Sequence, residues 1–127
     1  MLAEFIGGFV AAEGTFTGAT VGTQRRFTFA IALGATDREL CEALPAFFGC
    51  GATRWSPRRR PHYDDEVTYR AQAIPDLVTR IVPFMDLWLP ISYKRRQYEV
   101  WRADLVAYDG SRSRSSRGTS AHSRSRS

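Results

Sequence analysis

The segment 6–14 constrains the fold of this 127-residue chain more than any other, because it mixes tiny and large apolar residues at helical spacing. Gly7 and Ala11 are four residues apart, as are Gly8 and Ala12, so each pair lies on one side of a helix. Two adjacent glycines inside a helix cost about 1 kcal/mol each relative to alanine. Their presence predicts that another backbone packs very close to this helix.

Glu13 falls at the C-terminal end of the predicted helix, and Gly14 is expected to end it in the left-handed conformation. A carboxylate at the negative end of a helix dipole is disfavoured by about 0.3–1 kcal/mol. A nearby cation would explain why an acid stands there. The alternative is a solvated acid before a turn.

The charge of the chain is distributed unevenly. The whole net charge of +5 equals the contribution of five arginines in residues 111–127, a segment without acids, so residues 1–110 carry 13 basic and 13 acidic side chains. The Ser/Arg composition of residues 111–127 cannot form a core, and we expect a disordered tail that binds polyanions non-specifically. Residues 1–110 are expected to form one domain.

Composition excludes several classes of protein. No apolar run reaches the ~18 residues of a membrane span. The N-terminus carries Glu4 instead of the basic start of a secretion signal, so we expect an intracellular protein of the cytoplasm, nucleoid or an organelle, with no membrane partner. Cys41 and Cys50 lack metal-ligand spacing with His62 or His122 and are interpreted as small buried hydrophobes.

Periodicity in the first half predicts a helix followed by a strand pair and a second helix. Phe27, Phe29, Ile31 and Leu33 alternate with small or polar residues, which is typical of a half-buried strand. Residues 15–22 form its predicted partner, with residues 22–25 as the connection. Thr36 and Glu39 form a capping box that opens a helix through Phe48, with Pro45 inside it and Gly49 and Gly51 at its end.

The second half repeats the strand pair and ends in helices. Residues 52–56 and 66–73 are predicted strands, separated by an arm at 57–65 that is rich in Arg and Pro. Pro75 fits the first turn of a helix that we expect to end near Pro83. Ser92 is expected to cap a last helix reaching about Tyr108, with Tyr98, Trp101, Leu105 and Tyr108 on its apolar side.

Segment 6–14 resembles the signature motif of the LAGLIDADG homing endonucleases. It has a large apolar residue, two small ones, two large apolar ones, a variable site, a small residue, an acid and a glycine. The resemblance continues through residues 47–51, 81–84 and 94–98 and covers about residues 3–108. It implies an α/β (α+β) fold of order αββαββα, with an antiparallel sheet covered by helices on one face.

In that family the motif helices of two subunits, or of two halves, pack side by side above the DNA. A single motif therefore implies a homodimer with Gly7, Gly8, Ala11 and Ala12 at its interface and two copies of Glu13 near the two-fold axis. Two such carboxylates repel unless cations lie between them, and Mg²⁺ bridging carboxylate and phosphate oxygens relieves that repulsion. The expected function is a site-specific double-strand DNA endonuclease of the kind found in introns or inteins, with Glu13 and Gly14 at the metal.

The resemblance also places an active-site lysine at Lys94, just inside the last helix, where a cation can stabilise charge developing on phosphate. The alternative is a surface cation beside Arg95 and Arg96. Two alanines depart from the family pattern. The family has an acid at the position of Ala11 and often a polar residue near the position of Ala35.

The outer face of the strands would lie in the DNA major groove, which admits a two-stranded ribbon. Arginine there can read guanine or clamp phosphate. The residues expected to contact DNA are Thr15, Thr17, Gln24, Arg25, Arg26, Thr28, Arg54, Arg58, Arg59, Arg60 and Arg70.

Two other interpretations remain open. One is a catalytically inactive relative on the same scaffold, either a DNA-binding module or an RNA-binding intron maturase. The other sets the family aside and keeps a small α/β interaction domain with a basic tail.

Overall fold

The computed structural model describes residues 2–34, 38–56 and 66–125, with side chains for residues 2–33, 38–55 and 66–112. The elements follow one another as α1 (Ala3–Glu13), β1 (Gly14–Val21), β2 (Gln24–Gly34), α2 (Arg38–Phe48), β3 (Ala52–Ser56), β4 (Glu66–Ala71), α3 (Ile74–Asp76), a π-helical segment (Leu77–Ile81), α4 (Val82–Trp88) and α5 (Tyr93–Ser125).

The four strands form one antiparallel sheet in the order β1-β2-β4-β3. Gly14 pairs with Ile31 at one end of the first hairpin and Val21 pairs with Gln24 at the other. The connection is therefore a two-residue turn at Gly22 and Thr23, and Gly22 adopts a φ of 65° there. Residues 24 and 25, which the sequence analysis placed in the connection, belong to β2.

The core lies on one face of the sheet, under the helices. Alternate residues of β2 and β4 are buried, and the predicted inward set of Phe27, Phe29, Ile31 and Leu33 is confirmed. Helices contribute the other side of this core with Ile6, Val10, Cys41, Leu44, Phe48, Leu77, Ile81, Met85, Tyr98 and Leu105. The predicted sheet with helices on one face is confirmed, and none of the described helices covers its opposite face, the open face.

Helix α2 runs through Pro45 to Phe48, and Gly49 follows it with a φ of 74°. Proline has no N–H, so it cannot donate to the carbonyl four residues earlier, which belongs to Cys41. The hydroxyl of Thr53 on β3 donates to that carbonyl at 2.9 Å. A side chain from the sheet thus replaces the backbone hydrogen bond that proline removes.

The helix expected to end near Pro83 continues to Trp88. Before the proline the backbone widens into the π-helical segment, in which the N–H of Val82 donates to the carbonyl of Leu77, five residues earlier. This wider turn shifts the hydrogen-bond register just ahead of Pro83, whose ring has no N–H to donate. The proline is therefore accommodated within a continuous helical run.

The last helix begins as predicted, because the Ser92 hydroxyl accepts a hydrogen bond from the N–H of Arg95 at 3.1 Å. It does not end near Tyr108, because α5 continues to Ser125. The division of the chain into a domain at 1–110 and a disordered tail at 111–127 stays a prediction. Helical hydrogen bonds are made within the segment, so a helix can extend without a core to pack against. None of the described helices is long and apolar enough to cross a membrane.

Candidate functional site

The junction of α1 and β1 places Glu13 at the last position of the helix, exposed to solvent. Gly14 is not the left-handed stop that the sequence predicted, because its φ of −76° and ψ of 158° are extended and it opens β1 directly. A Cβ at Gly14 would lie 2.7 Å from Cγ1 of Val10, so glycine is needed here for close packing. The chain passes from helix to strand without a loop, which fixes the backbone of Glu13 from both sides.

The two glycines of α1 face different surroundings. A Cβ at Gly7 would lie 2.1 Å from the carbonyl oxygen of Trp88, whereas one at Gly8 would meet nothing within 4 Å. The close backbone that the glycines predicted is therefore α4 of the same chain. Gly7 and the half-buried Ala11 pack inward within the monomer, and their assignment to an interface with a second subunit stays a prediction. Gly8 and Ala12 are exposed and form the open side of the helix.

Lys94 lies in the first turn of α5 and is partly buried. It is the only lysine of the chain. One turn further along, the ring of Tyr98 packs 5.1 Å from that of Phe16, near the start of β1. The first turns of α5 thus lie on the side of the sheet where α1 ends, and α1 and α5 are in contact.

Arg95 fixes the connection between α4 and α5. Its guanidinium donates to the carbonyl oxygens of Leu89 (2.5 Å), Met85 (3.3 Å) and Asp86 (3.3 Å), and so caps the C-terminal end of α4. The same end of α4 contacts Gly7. A basic residue shortly after a predicted helix end, as Arg95 is, is the signal in the sequence for such a cap.

A polar cluster lies one turn further along α5. The hydroxyl of Tyr98 donates to Asp86 at 2.6 Å, and the guanidinium of Arg102 donates to both oxygens of the same carboxylate at 3.0 and 3.2 Å. Burial and then the hydrogen bond to Asp86 raise the pKa of Tyr98 above its usual value. This cluster joins α4 to α5 and does not reach Glu13.

The described part of the chain has no group of three or more His, Cys, Asp and Glu residues that could hold a metal ion. Glu13 forms no ion pair with another described side chain. An exposed carboxylate beside the Gly14 backbone carbonyl offers hard oxygen donors of the kind that Mg²⁺ takes. These are too few for a complete site, so a divalent ion at Glu13 would need oxygen ligands from a second molecule.

The open face of the sheet carries most of the described residues expected to contact DNA. They are Thr15, Thr17, Gln24, Arg26, Thr28, Arg54 and Arg70, and they alternate with residues that face the helices. Glu66 and Thr68 also lie on this face, and the sequence analysis missed both. A concave region of about 650 Å³ over β3 and β4 is lined by Arg54, Glu66, Thr68, Arg70 and Gln72 among others.

Arg25 lies on the opposite side of the sheet from this open face. Its guanidinium carbon sits 4.8 Å from the ring centre of Phe27, one of its nitrogens lies 3.9 Å from a carboxylate oxygen of Asp104, and its backbone N–H donates to Tyr108 at 3.3 Å. Arg25 therefore does not share the open face with the other predicted residues, and its contact with DNA stays a prediction. Its phase of alternation matches that of Phe27, because β2 begins at Gln24 and not after the predicted connection at 22–25.

Arg58, Arg59 and Arg60 of the arm, together with Ala35 and the capping residue Thr36, lie outside the described residues. Their assignments stay predictions.

Cys41 is buried as expected, while Cys50 is only half-buried, with its Sγ 4.0 Å from the hydroxyl oxygen of Tyr69.

A family model described as LAGLIDADG endonuclease matches residues 6–104. The chain belongs to the LAGLIDADG endonuclease family. The match begins at Ile6, the first residue of the signature in α1, and ends inside α5. No match is found among curated protein sequences.

Solved structures of the LAGLIDADG family share this fold. The homing endonuclease I-GzeII in complex with its DNA target is similar with a TM-score of 0.77 at 20% identity, over 87% of this chain and 37% of that one. The meganuclease I-SmaMI bound to uncleaveable DNA with a TTCT central four is similar with a TM-score of 0.76 at 24% identity, over 87% of this chain and 38% of that one. I-SmaMI bound to uncleaved DNA target in the presence of calcium ions is similar with a TM-score of 0.72 at 22% identity, over 85% of this chain and 37% of that one. This chain therefore spans less than two fifths of each solved chain.

Proposed function

We propose that this member of the LAGLIDADG endonuclease family is a metal-dependent, site-specific endonuclease of double-stranded DNA that works as a homodimer. The observation that carries the proposal is the placement of Glu13. It is an exposed carboxylate at the end of α1, beside the open side formed by Gly8 and Ala12. Two copies of α1 packed through that open side would bring two Glu13 carboxylates together.

The chemistry follows from these positions. Mg²⁺, when bound, supplies activation of water and stabilisation of the leaving oxygen. The two Glu13 side chains would hold the cation, which would relieve their mutual repulsion. The carbonyl of Gly14, fixed at the start of β1, is a further oxygen donor. Lys94 is a positioned cation that stabilises charge developing on the phosphate.

The open face of the sheet is the surface proposed to bind DNA. Its described charged side chains are three arginines and one glutamate, Arg26, Arg54, Arg70 and Glu66, so its local charge is positive although residues 1–110 as a whole are neutral. Charge segregated in this way supports DNA binding at the sheet. The solved neighbours I-GzeII and I-SmaMI are described as complexes with DNA, which supports the same partner here.

The test is a cleavage screen of a randomised double-stranded DNA library with Mg²⁺, followed by rate measurements on the selected site. We expect Glu13→Gln to lower the cleavage rate by at least about 100-fold, because it removes the charge that holds the metal, and to leave DNA binding largely intact. Glu4→Gln is the matched control, since Glu4 is an exposed acid in the first turn of the same helix. Cleavage by Glu13→Gln at the wild-type rate would rule out the catalytic assignment.

A second candidate is a relative that binds a specific nucleic-acid site without cleaving it. The observation in its favour is that no group of metal ligands is complete within the described part of one chain. Selective binding of one DNA site by the wild-type protein, with no cleavage at any Mg²⁺ concentration, would favour this candidate.

A further inference from the structure

Gln72 lies immediately after β4 and continues the alternation of its open face, one step beyond Arg70. It is exposed, and its side-chain amide donates to the hydroxyl of Thr28 on β2 at 3.1 Å. Thr28 in turn pairs with Thr17 on β1. Gln72, Thr28 and Thr17 therefore form one polar row across three strands of the open face.

Gln72 also lies beside two concave regions of the surface and two arginines. It lines two concave regions: the one of about 650 Å³ over β3 and β4, and a second of about 270 Å³ that is also lined by Arg25, Arg26, Ala73 and Ile74. Because Arg25 lies on the helix side of the sheet, the second region is not confined to the open face. Arg26 precedes Thr28 by two residues on β2, and Arg70 precedes Gln72 by two residues on β4. The position of Gln72 on the open face thus lies between those of Arg26 and Arg70.

The hydrogen bond to Thr28 decides what the amide can recognise. A glutamine amide has two N–H donors and one carbonyl acceptor. One donor is committed to Thr28, which orients the amide plane and leaves one N–H and the carbonyl oxygen free. In the major groove adenine offers an acceptor at N7 and a donor at N6, and glutamine pairs with both at once. Among the four bases, the free pair of groups on Gln72 therefore matches adenine.

We propose that Gln72 specifies an adenine in the DNA half-site, and that Thr28 is the positioning residue that orients its amide. The inference rests on the proposed DNA-binding function and adds a base and a residue to it. Successive outward residues of a strand are about 6.6–6.8 Å apart, roughly two base-pair steps of 3.4 Å. The adenine should accordingly lie about two base pairs from positions contacted by Arg26 or Arg70.

The experiment is selection of bound sites from a randomised double-stranded DNA library with EDTA present, so that binding is measured without cleavage. The full-length chain is compared with Gln72→Ala, Gln72→Glu and Thr28→Val. Gln97→Ala is the matched control, because Gln97 is an exposed glutamine on α5, on the other side of the sheet. Thermal unfolding of every variant shows that it is folded.

We expect Gln72→Ala to reduce the preference for adenine at one position of each half-site by roughly 5- to 150-fold, with other positions unchanged. Gln72→Glu should move that position toward cytosine, whose N4 donates to a carboxylate. Thr28→Val should weaken the same preference by a smaller factor while Gln72 is retained. A purely structural hydrogen bond between β2 and β4 would change thermal stability and leave base preference as it is.

Two outcomes would overturn the inference in distinguishable ways. If the wild-type protein selects no sequence, both the proposed function and the role of Gln72 are wrong. If it selects a site whose base preferences are the same in Gln72→Ala, or the position that changes is not an adenine, only the assignment of Gln72 is wrong.

Discussion

At the scale of single residues, the two neighbouring glycines of α1 have separate structural roles. Gly7 permits α1 to lie against the carbonyl of Trp88, which is itself in the turn that Arg95 caps. Gly8 leaves the opposite side of the helix open. The first glycine therefore supports the monomer, and the second is available to a partner.

We expect Gly7→Ala to lower the free energy of unfolding by about 1–3 kcal/mol or more, because the new Cβ would overlap a backbone oxygen that cannot rotate away. Gly8→Ala should raise the free energy of unfolding by up to about 1 kcal/mol in monomeric samples, since alanine is the better helix former and a Cβ at this position meets no other atom within 4 Å. Urea unfolding of both variants measures the difference. Equal effects would mean that the two positions are not distinguished by the fold.

The same pair of positions tests the dimer. Gly8→Leu should weaken self-association, because a large side chain on the open side keeps two α1 helices apart, while the monomer stays folded. Sedimentation of the wild-type and Gly8→Leu proteins is the measurement. A dimer that is unchanged in Gly8→Leu would place the interface elsewhere.

At the scale of elements, α2 shows how a helix with an internal proline is completed from outside. The carbonyl of Cys41 loses its usual helical donor because of Pro45, and Thr53 supplies a hydroxyl from β3. The hydrogen bond ties the middle of α2 to the edge strand that precedes the arm. The position of β3 against α2 thus depends on this contact.

A double-mutant cycle makes this dependence measurable. Thr53→Val should cost about 0.5–1.5 kcal/mol in the wild-type background, the usual value for a lost hydrogen bond. In a Pro45→Ala background the helix can supply its own N–H, so the same Thr53→Val change should cost less. Denaturant unfolding of the four proteins gives the coupling. Additive effects would show that Thr53 does not substitute for the missing backbone donor.

At the scale of the whole molecule, two tyrosines embedded in the core make stability sensitive to alkaline pH. Burial and then the nearby Cys50 raise the pKa of Tyr69, and burial and then Asp86 raise the pKa of Tyr98. Both folded values are raised above the unfolded value of about 10, so the folded state keeps its protons longer. Their contribution is complete below pH 10 and is lost as the pH rises above it.

We therefore expect the free energy of unfolding to fall above about pH 10, by up to about 1.4 kcal/mol per pH unit for each of the two tyrosines. Tyr98→Phe should make the fall shallower, because phenylalanine has no proton to lose. Tyr93→Phe is the control, since Tyr93 is 69% exposed. Urea unfolding between pH 8 and pH 11 is the measurement, and the same slope in Tyr98→Phe and in the wild type would contradict the assignment.

Much of the fold could be predicted because it depends on local patterns. The helix at 6–13, the alternation in β2, the strand at 52–56 and the cap at Ser92 each rest on residues within one or two turns of each other. Spacing and cap chemistry fix such elements before any tertiary contact forms. The family signature lies within one of them, so the position of Glu13 at a helix end also followed from the sequence.

Other features required the folded structure, because they depend on which distant segments meet. Whether Gly7 or Gly8 is covered was decided by the position of Trp88, some 80 residues away in the chain. The contact between Arg25 and Asp104 was decided by the placement of α5 against the sheet. The pairing of Gln72 with Thr28 was decided by the order of the strands, since β4 lies beside β2. The sequence by itself determined the order of the elements, the buried phase of β2 and the residue that ends α1, because these depend on local spacing. Tertiary packing decided which side of α1 is covered and which distant side chains meet.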